Sequence, residues 1–263
     1  MSVAILIPAR YQSTRFPGKP LAELMLPEGQ RKSLLRLTWE AARAVPGNPA
    51  IYVLTDDNRI RDAAQGFGAS VIMTSPACRN GTERCAEAAA ALEAEIIVNL
   101  QGDAPLTPPW FIEALIAAMQ AAGPEIDMAT PVLRCDPTTY AHLREDRRQG
   151  RVGATTAVFD AQRNALYFSK ELLPWLDPAK LGGAEIPVWH HVGIYAYRKP
   201  ALAAYAALPE GRLEALEGLE QLRFLEHGRK IRCVEVDARG RVFWELNNPE
   251  DIPRIEAALK DLS

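Results

Sequence analysis

The sequence predicts an α/β protein with a mainly parallel sheet, helices on both faces and a smaller antiparallel lobe. Short apolar runs that suit buried strands alternate with segments whose apolar residues recur at helical spacing. Strands that are apolar on both faces are typical of parallel sheets covered by helices on either side. After about Cys135 the pattern changes, and strand-like segments follow one another. This change predicts the antiparallel lobe.

The first half of the chain carries the alternating pattern. The apolar runs begin with "VAILIP" and end with "DMATPVL", and the segment "PPWFIEALIAAMQAA" has prolines suited to a first helical turn. The predicted strands are 3–8, 50–56, 70–75, 95–103 and 127–133, and the predicted helices are 33–45, 59–67, 82–94 and 108–122.

The second half is predicted as strands around one long helix, 212–228, followed by a closing helix, 248–262. The polar stretch 136–153 is interpreted as a connecting excursion. Strand-like segments are 154–160, 164–169, 173–178, 188–198 and 230–236. Because no repeat or flexible linker is visible, residues 1–263 are predicted to form a single domain.

Bulk composition excludes several classes of protein. The formal charge is −3, whereas nucleic-acid binding usually requires a basic surface. No run approaches the ~20 apolar residues of a membrane span, and the start lacks the features of a signal peptide. We therefore expect a cytoplasmic protein without nucleic-acid or membrane partners. The four cysteines lack C-x-x-C spacing, which favours reduced, mostly buried thiols over a zinc site or disulfides.

A basic segment follows the first predicted strand. "IPARYQSTRFPGKPLAEL" places Arg10, Arg15 and Lys19 close together, with two prolines and a glycine that stiffen the turn. Arginine offers a rigid fork to phosphate oxygens, and lysine adds a mobile charge. The segment lacks the motifs G-x-x-x-x-G-K-[ST] and G-x-G-x-x-G. A triphosphate site and a solvated loop whose arginines pair with acids are both consistent with it.

A carboxylate follows another buried strand, in "VNLQGDAPL". Asp103 is placed to hold Mg²⁺, which prefers one or two carboxylates together with substrate phosphates. Gln101 could bond a sugar or a base. Alternatively, Gly102 and Asp103 simply form a turn. Since ligands of open α/β sheets bind at the carboxyl ends of strands, we expect this segment and the basic one to share a cleft.

Two further segments carry polar residues whose roles, structural or functional, the sequence leaves undecided. In "RNGTERCAEA", Asn80 or Thr82 can cap the following helix, and Arg84 either reaches the cleft or stays exposed. In "WHHVGIYAYR", strand alternation sends His190 and His191 to opposite faces. A single histidine on a strand is more often structural than catalytic.

Taken together, the segments resemble a known family. "IPARYQSTRFPGKPL", "NGTERCAEA", "VNLQGDAPL", "ALYFSKELLPW", "HHVGIYAYR", "LEGLEQLRFLEHGRKI" and "NNPEDI" occur in the order seen in 3-deoxy-manno-octulosonate cytidylyltransferases, the CMP-Kdo synthetases. The resemblance spans nearly the whole chain. It implies a nucleotide-diphospho-sugar-transferase-like (Rossmann-like) fold and a dimer that joins CMP from CTP to an acidic sugar for lipopolysaccharide biosynthesis, with Mg²⁺ and release of pyrophosphate.

The resemblance also implies roles for individual residues. The implied catalytic residues are Lys19, Asp103 and Arg10, and the implied metal positions are Asp103 and Asn247. The implied nucleotide-binding positions are Ala9, Arg10, Arg15, Lys19, Gly81, Thr82 and Arg84. The implied acceptor-binding positions are Gln101, Lys170, His191, Tyr195, Glu220 and Gln221. Residues 1–135 would form the nucleotide-binding half, 136–240 the acceptor-binding and dimerisation lobe, and 241–263 the closing segment.

The chain departs from the family pattern at four places. Asn247 stands where the family has a second metal-associated Asp, Thr156 replaces a Lys, and Lys170 replaces an Arg. The family's "SGTER" is "NGTER" here, preceded by Cys78 and Arg79. Three changes fall in or near the acceptor side, while the basic segment is intact. The acceptor could therefore be another sugar acid or a small phosphonate such as phosphonoformate.

Three alternatives remain at the level of sequence. The protein could transfer another nucleotide, or it could bind nucleotide with weak or no turnover because Asn247 brings no charge. It could also bind nucleic acid through its arginine cluster, in which case binding should depend steeply on salt.

Overall fold

A large mixed sheet forms the centre of the protein, which we describe from a computed structural model over residues 1–13, 16–151, 154–177, 185–241, 246 and 248–260. The strands are β1 Val3–Pro8, β2 Glu23–Met25, β3 Arg31–Ser33, β4 Ala50–Thr55, β5 Ser70–Met73, β6 Ile96–Leu100, β7 Met128–Arg134, β8 Thr155–Phe159, β9 Ala165–Ser169, β10 Trp189–His191, β11 Ile194–Arg198 and β12 Ile231–Glu235. The helices are α1 Leu34–Arg43, α2 Asn58–Gly66, α3 Gly81–Ala90, α4 Pro109–Ala121, α5 Pro137–Arg148, α6 Lys199–Ala207, α7 Arg212–Glu217, α8 Leu222–Glu226 and α9 Ile252–Lys260.

The first half of the sheet is parallel, in the order β5-β4-β1-β6. Its strands are apolar because both faces are covered. One face packs on α1 and α4 through residues such as Leu35 and Phe111. The other face packs on α3 and α6 through residues such as Ala88 and Leu202. The predicted α/β class with helices on both faces is confirmed.

The antiparallel strands of the second half extend the same sheet. Strand β11 lies between β6 and β7 and runs antiparallel to both, and β10, β8 and β9 continue the sheet from β7. The predicted strand 188–198 is divided, since a tight turn joins Ile194 N–H to the Val192 carbonyl (2.7 Å). This turn lets β10 pair with β8 while β11 pairs with β6. The division of the chain into functional halves stays a prediction.

Three helical predictions needed correction. The excursion 136–153 contains α5, which starts with Pro137 after Asp136 accepts a 2.6 Å hydrogen bond from Thr139 N–H. Helix α6 was not predicted because its Ala-rich sequence follows β11 directly. The long helix 212–228 is two short helices, because Gly218 adopts the left-handed conformation (φ +62°) that ends α7.

The closing segment returns to the N-terminal half. Helix α9 packs through Ile255 against a small cluster that includes Leu24 of the β2–β3 hairpin and Leu34 of α1. All four cysteines are free, and three of them are buried. Within the described parts of the chain, no helix combines the length and the apolar character needed to cross a membrane.

Candidate functional site

The carboxyl ends of β1 and β6 lie side by side and carry the basic turn and the predicted carboxylate. Strand β1 ends at Pro8, and the Ala9 N–H then donates to the Leu54 carbonyl (2.8 Å). Gly102 passes so close to β1 that a Cβ there would lie 2.8 Å from the Pro8 carbonyl oxygen. Only glycine permits this approach, which brings Asp103 to the end of β1.

Lys19 and Asp103 form an ion pair at this edge. The turn begins at Gly18 (φ +72°), and Lys19 opens a short 3₁₀ turn, Lys19–Leu21. Lys19 Nζ donates a 2.6 Å hydrogen bond to Asp103 Oδ2, and the two side chains are 16% and 26% exposed. The prediction that the basic segment and Asp103 lie together at this edge is confirmed for Lys19, and the cleft itself stays a prediction.

Of the two arginines in the basic segment, only Arg10 lies within the described residues. Arg10 is exposed and has no hydrogen bond or ion pair with any residue in the described ranges. Its exposed guanidinium is accessible to an anion, and its predicted role in nucleotide binding stays a prediction. Arg15 lies outside the described residues, so its predicted role stays a prediction.

The closing segment contacts the backbone of the same residue, Asp103. The backbone N–H of Leu246 donates a 3.0 Å hydrogen bond to the Asp103 carbonyl. Asn247, the second predicted metal position, lies outside the described residues. Within the described residues, no three Asp, Glu, His or Cys side chains cluster as a metal site. Asp103 alone still suits Mg²⁺, because that ion commonly takes one carboxylate and completes its shell with water and substrate phosphates.

The N-terminus of α3 faces the site from a second side. Asn80 caps this helix by accepting a 2.8 Å hydrogen bond from Glu83 N–H, and its amide donates to the Tyr205 hydroxyl (3.2 Å). Gly81 lies against Gln101, since a Cβ there would be 3.3 Å from Gln101 Oε1. The Gln101 amide in turn donates to Asn99 Oδ1 (3.3 Å). The predicted "NGT" turn and Gln101 are thus neighbours.

Thr82 and Glu220 join the nucleotide side of the predicted site to the acceptor side. Thr82 is fully buried, and its hydroxyl accepts a 3.3 Å hydrogen bond from the Asn99 amide. Its hydroxyl and backbone N–H stabilise the ionised carboxyl of Glu220, but burial is the larger effect and raises the pKa of Glu220 to about 7. Glu220 Oε2 is buried and has no hydrogen-bond partner within the described residues.

Arg84 has an environment that neither sequence alternative anticipated. It is buried, not exposed, and its guanidinium donates to the Thr74 hydroxyl and lies 3.4 Å from Asp56 Oδ1. Thr74 and Asp56 follow β5 and β4, so Arg84 ties the ends of these strands to α3. Its assignment to nucleotide binding stays a prediction.

His191 and Tyr195, two residues of the predicted acceptor side, are both buried. His191 Nε2 lies 2.9 Å from the Thr130 hydroxyl, which is also within hydrogen-bond distance of the Val192 and Ile194 carbonyls (3.1 and 2.9 Å). Burial lowers the pKa of His191 to about 3, and the ring is therefore neutral. The Tyr195 hydroxyl donates to Gln221 Oε1 (3.2 Å) and orients this amide. Gln221 Nε2 is buried without a hydrogen-bond partner in the described part of the chain.

Lys170 reaches this region from the end of β9. Its backbone N–H donates to Glu217 Oε2 (2.9 Å). Its ammonium lies over Gly218, because a Cβ on Gly218 would be 3.1 Å from Lys170 Nζ. The turn between α7 and α8 therefore gathers Lys170, Glu220 and Gln221.

Several residues that hold the site together were missed from the sequence. Asn99 and Thr130 are polar residues inside apolar strands, and that pattern was the available signal. Arg223 gave no signal: it is buried and forms two hydrogen bonds with Glu214 (2.7 and 2.6 Å). Its guanidinium also stacks 4.3 Å from the centre of the Tyr205 ring, and Tyr205 bonds the α3 cap.

A cationic turn and a carboxylate meet at the carboxyl edge of an α/β sheet, where ligands of such sheets bind, and similarity to known proteins gives the class, a nucleotidyltransferase. A profile of the cytidylyltransferase family matches residues 4–231. The chain belongs to this family.

Relatives align over almost the full length of the chain. The 3-deoxy-manno-octulosonate cytidylyltransferase of Maricaulis maris is 44% identical, covering 98% of this chain and 97% of the relative. The 8-amino-3,8-dideoxy-manno-octulosonate cytidylyltransferase of Shewanella sediminis is 42% identical, covering 98% and 99%. A solved structure of CMP:2-keto-3-deoxy-manno-octonic acid synthetase complexed with CTP superposes with a TM-score of 0.83, 34% identity and 98% coverage of both chains.

Proposed function

We propose that this protein moves CMP from CTP to an acidic sugar, 3-deoxy-manno-octulosonate or a close relative of it, with release of pyrophosphate. The ion pair of Lys19 and Asp103 is the observation that carries the proposal. It places a cation for phosphates and a carboxylate for a metal at one point, at the end of the sheet where ligands bind. Membership of the family and the CTP complex of a 34% identical structure support the choice of nucleotide.

The chain's own residues contribute positioning and charge. Lys19, Arg10 and Arg15 would neutralise the β- and γ-phosphates, so that pyrophosphate can leave as an acceptor oxygen attacks the α-phosphorus in line. Asp103, with Asn247 as a neutral second ligand, would hold Mg²⁺, which would lower the pKa of an acceptor hydroxyl and offset charge on the phosphates. No general base is assigned, since burial lowers the pKa of His191 to about 3 and makes it a weak proton acceptor.

The polar side chains of the predicted acceptor side suit an acceptor with several hydroxyl groups. Glu220 Oε2 can accept a hydrogen bond and Gln221 Nε2 can donate one, and both are buried without partners within the described residues. Unpaired buried groups of this kind strongly favour a ligand that satisfies them. The Lys170 ammonium would meet the acceptor carboxylate as a point charge, without the two-pronged geometry of an arginine.

We further propose a cytoplasmic homodimer that serves lipopolysaccharide biosynthesis. Four free cysteines fit a reducing compartment. Leu166, Leu216 and Trp175 are large apolar side chains that are 63%, 72% and 79% exposed, and a dimer that covered them would remove apolar surface from water. Light scattering after size exclusion should give twice the chain mass of 29.0 kDa. A monomer at micromolar concentration would contradict the dimer.

Substrate choice is tested with a matrix of nucleotides and acids. CTP, UTP, GTP and ATP are each paired with the octulosonate, its 8-amino analogue and phosphonoformate, and pyrophosphate release is measured with Mg²⁺ present. We expect turnover with CTP and one of the two octulosonates. Turnover with another nucleotide, or CTP binding without any turnover, would contradict the proposal.

A further inference from the structure

Tyr11 contacts Gly18, the residue that precedes Lys19. The Gly18 N–H donates a 2.8 Å hydrogen bond to the Tyr11 carbonyl. The Tyr11 ring also packs on Gly18 itself, because a Cβ at Gly18 would lie 3.2 Å from two ring carbons and 3.3 Å from the hydroxyl oxygen. Backbone and ring of Tyr11 therefore both contact the start of the turn that carries Lys19.

Tyr11 is also contacted by Arg59 of α2. The Arg59 guanidinium carbon lies 3.3 Å from the centre of the Tyr11 ring. The guanidinium is fixed by Asp57, with Nε donating to Oδ1 (3.0 Å) and Nη2 donating to Oδ2 (2.6 Å). Asp57 is fixed in turn because it caps α2, accepting a 2.9 Å hydrogen bond from the Arg59 backbone N–H.

These contacts connect a rigid helix to the ion pair of the site. From α2 they run through Arg59, Tyr11 and Gly18 to Lys19, whose ammonium bonds Asp103. Because Lys19 has a flexible stem, the position of its charge depends on how firmly the turn at its base is held.

Global stability is a poor explanation for this arrangement. The Arg59 side chain is 59% exposed, and exposed ion pairs and cation–π contacts contribute little to global stability. Their main consequence is local: they restrict where the turn can lie.

We propose that Tyr11 and Arg59 are positioning residues that hold the basic turn ready for the triphosphate. This inference rests on the proposed function, because it assigns the turn to CTP. Tyr11 acts through its ring and backbone, and Arg59 acts through Tyr11. Neither residue needs to touch the reacting atoms.

Kinetics of ring variants test the inference. Tyr11→Ala removes the ring, and Tyr11→Phe retains it. We expect Tyr11→Ala to raise KM for CTP about tenfold, as misplaced binding groups do, while KM for the acceptor stays within about twofold. Tyr11→Phe should restore KM for CTP. Tyr140→Ala, which truncates a half-buried tyrosine on α5, is the matched control and should leave both constants unchanged.

A double-mutant cycle tests the contribution of Arg59. If Arg59 acts through the ring, Arg59→Met should weaken CTP binding in the parent but add little to Tyr11→Ala. The binding constant for CTP alone, measured by calorimetry, keeps this result independent of turnover. Additive effects of the two substitutions would contradict the assignment of Arg59.

The glycine supplies a third variant. Gly18→Ala would push a methyl group against the ring, whereas Gly29→Ala has the same left-handed strain (φ +78°) with no atom within 4 Å. We expect only Gly18→Ala to raise KM for CTP, and equal effects would overturn the inference.

Failure of the inference and failure of the proposed function give different results. If the parent enzyme does not turn over CTP, the proposed function is wrong. If the parent turns over CTP and the folded Tyr11→Ala variant has an unchanged KM for CTP, only the inference about Tyr11 is wrong. Hydrogen exchange at the Gly18 amide is an independent check, and it should be faster in Tyr11→Ala than in the parent.

Discussion

The ammonium group of Lys19 lies 2.6 Å from Asp103 Oδ2, although 84 positions separate the two residues in the sequence. Lys19 follows β1 and Asp103 follows β6, and these strands are parallel neighbours in the sheet. Both side chains remain partly exposed, so a ligand can reach the pair. We therefore interpret the pair as part of a binding site, and substitutions there should affect turnover more than folding.

Loss of the buried Arg223 side chain should destabilise the protein. Arg223→Met leaves the buried Glu214 carboxylate without its partner, and breaking a buried ion pair costs about 3–5 kcal/mol. Chemical denaturation measures the free energy of unfolding. The control is Arg36→Met, which breaks an exposed pair with Glu40 and should cost less than about 1 kcal/mol. Similar costs for both variants would contradict the importance of the buried pair.

Glu220 should make stability depend on pH. Burial raises its pKa from 4.5 to about 7, so between these values the folded protein binds more protons than the unfolded chain. Its contribution to stability is present below pH 4.5 and is lost as pH rises to about 7. Glu220→Gln should remove this part of the dependence and raise Tm relative to the parent by about 3 °C or more at pH 8.

Thermal unfolding of both proteins from pH 4.5 to 8 checks this expectation. Glu93→Gln, at an exposed position, is the control and should follow the parent. If Glu220→Gln and the parent lose Tm in parallel across the window, the carboxyl of Glu220 does not titrate there.

Gly102 should be required for the position of Asp103. In Gly102→Ala the new methyl carbon would lie 2.8 Å from the Pro8 carbonyl oxygen, so the backbone before Asp103 must move. We expect kcat/KM to fall at least about tenfold, since displacement of a catalytic group is costly. Gly66→Ala, at the end of α2 with no atom within 4 Å, should keep full activity. Equal activity of the two variants would argue against this close approach.

Removal of metal should stop the reaction. If Asp103 holds Mg²⁺, chelation should abolish pyrophosphate release and added Mg²⁺ should restore it. Asp103→Asn removes the charge and should need a higher Mg²⁺ concentration for half-maximal rate. Two controls test the identity of the ion: Ca²⁺ in place of Mg²⁺, and EDTA-treated enzyme without added metal. An unchanged rate in EDTA would rule out the metal.

The fold was predictable where burial leaves a periodic pattern. Strands β1 and β6 are largely apolar on both faces; β1 was predicted with its observed bounds, and β6 was predicted one residue early at its start and three residues late at its end. Helix α5 was missed because few of its side chains reach the core and its surface reads as a polar loop. The break at Gly218 was missed because apolar spacing continues across it, and only the backbone conformation shows where α7 ends.

The part of the site that lies directly after the parallel strands could be predicted from the sequence. Lys19 and Asp103 were expected together because both follow parallel strands, and this requires no long-range contact to be known. The contacts between Tyr11 and Arg59 and between Thr82 and Glu220 join distant segments and leave no local pattern. The burial of Arg84 could not be predicted from the sequence either, since it depends on how α3 packs on the strand ends.

The central claim is that the basic turn and the carboxylate after β6 act on one bound CTP. The most direct measurement is pyrophosphate release from CTP by Lys19→Met, by Asp103→Asn and by Lys32→Met, which breaks a comparable ion pair with Glu40 elsewhere. We predict a fall of about 10²–10³ in kcat for the first two and parent-like rates for the third. Near-parent rates in Lys19→Met and Asp103→Asn would contradict the claim.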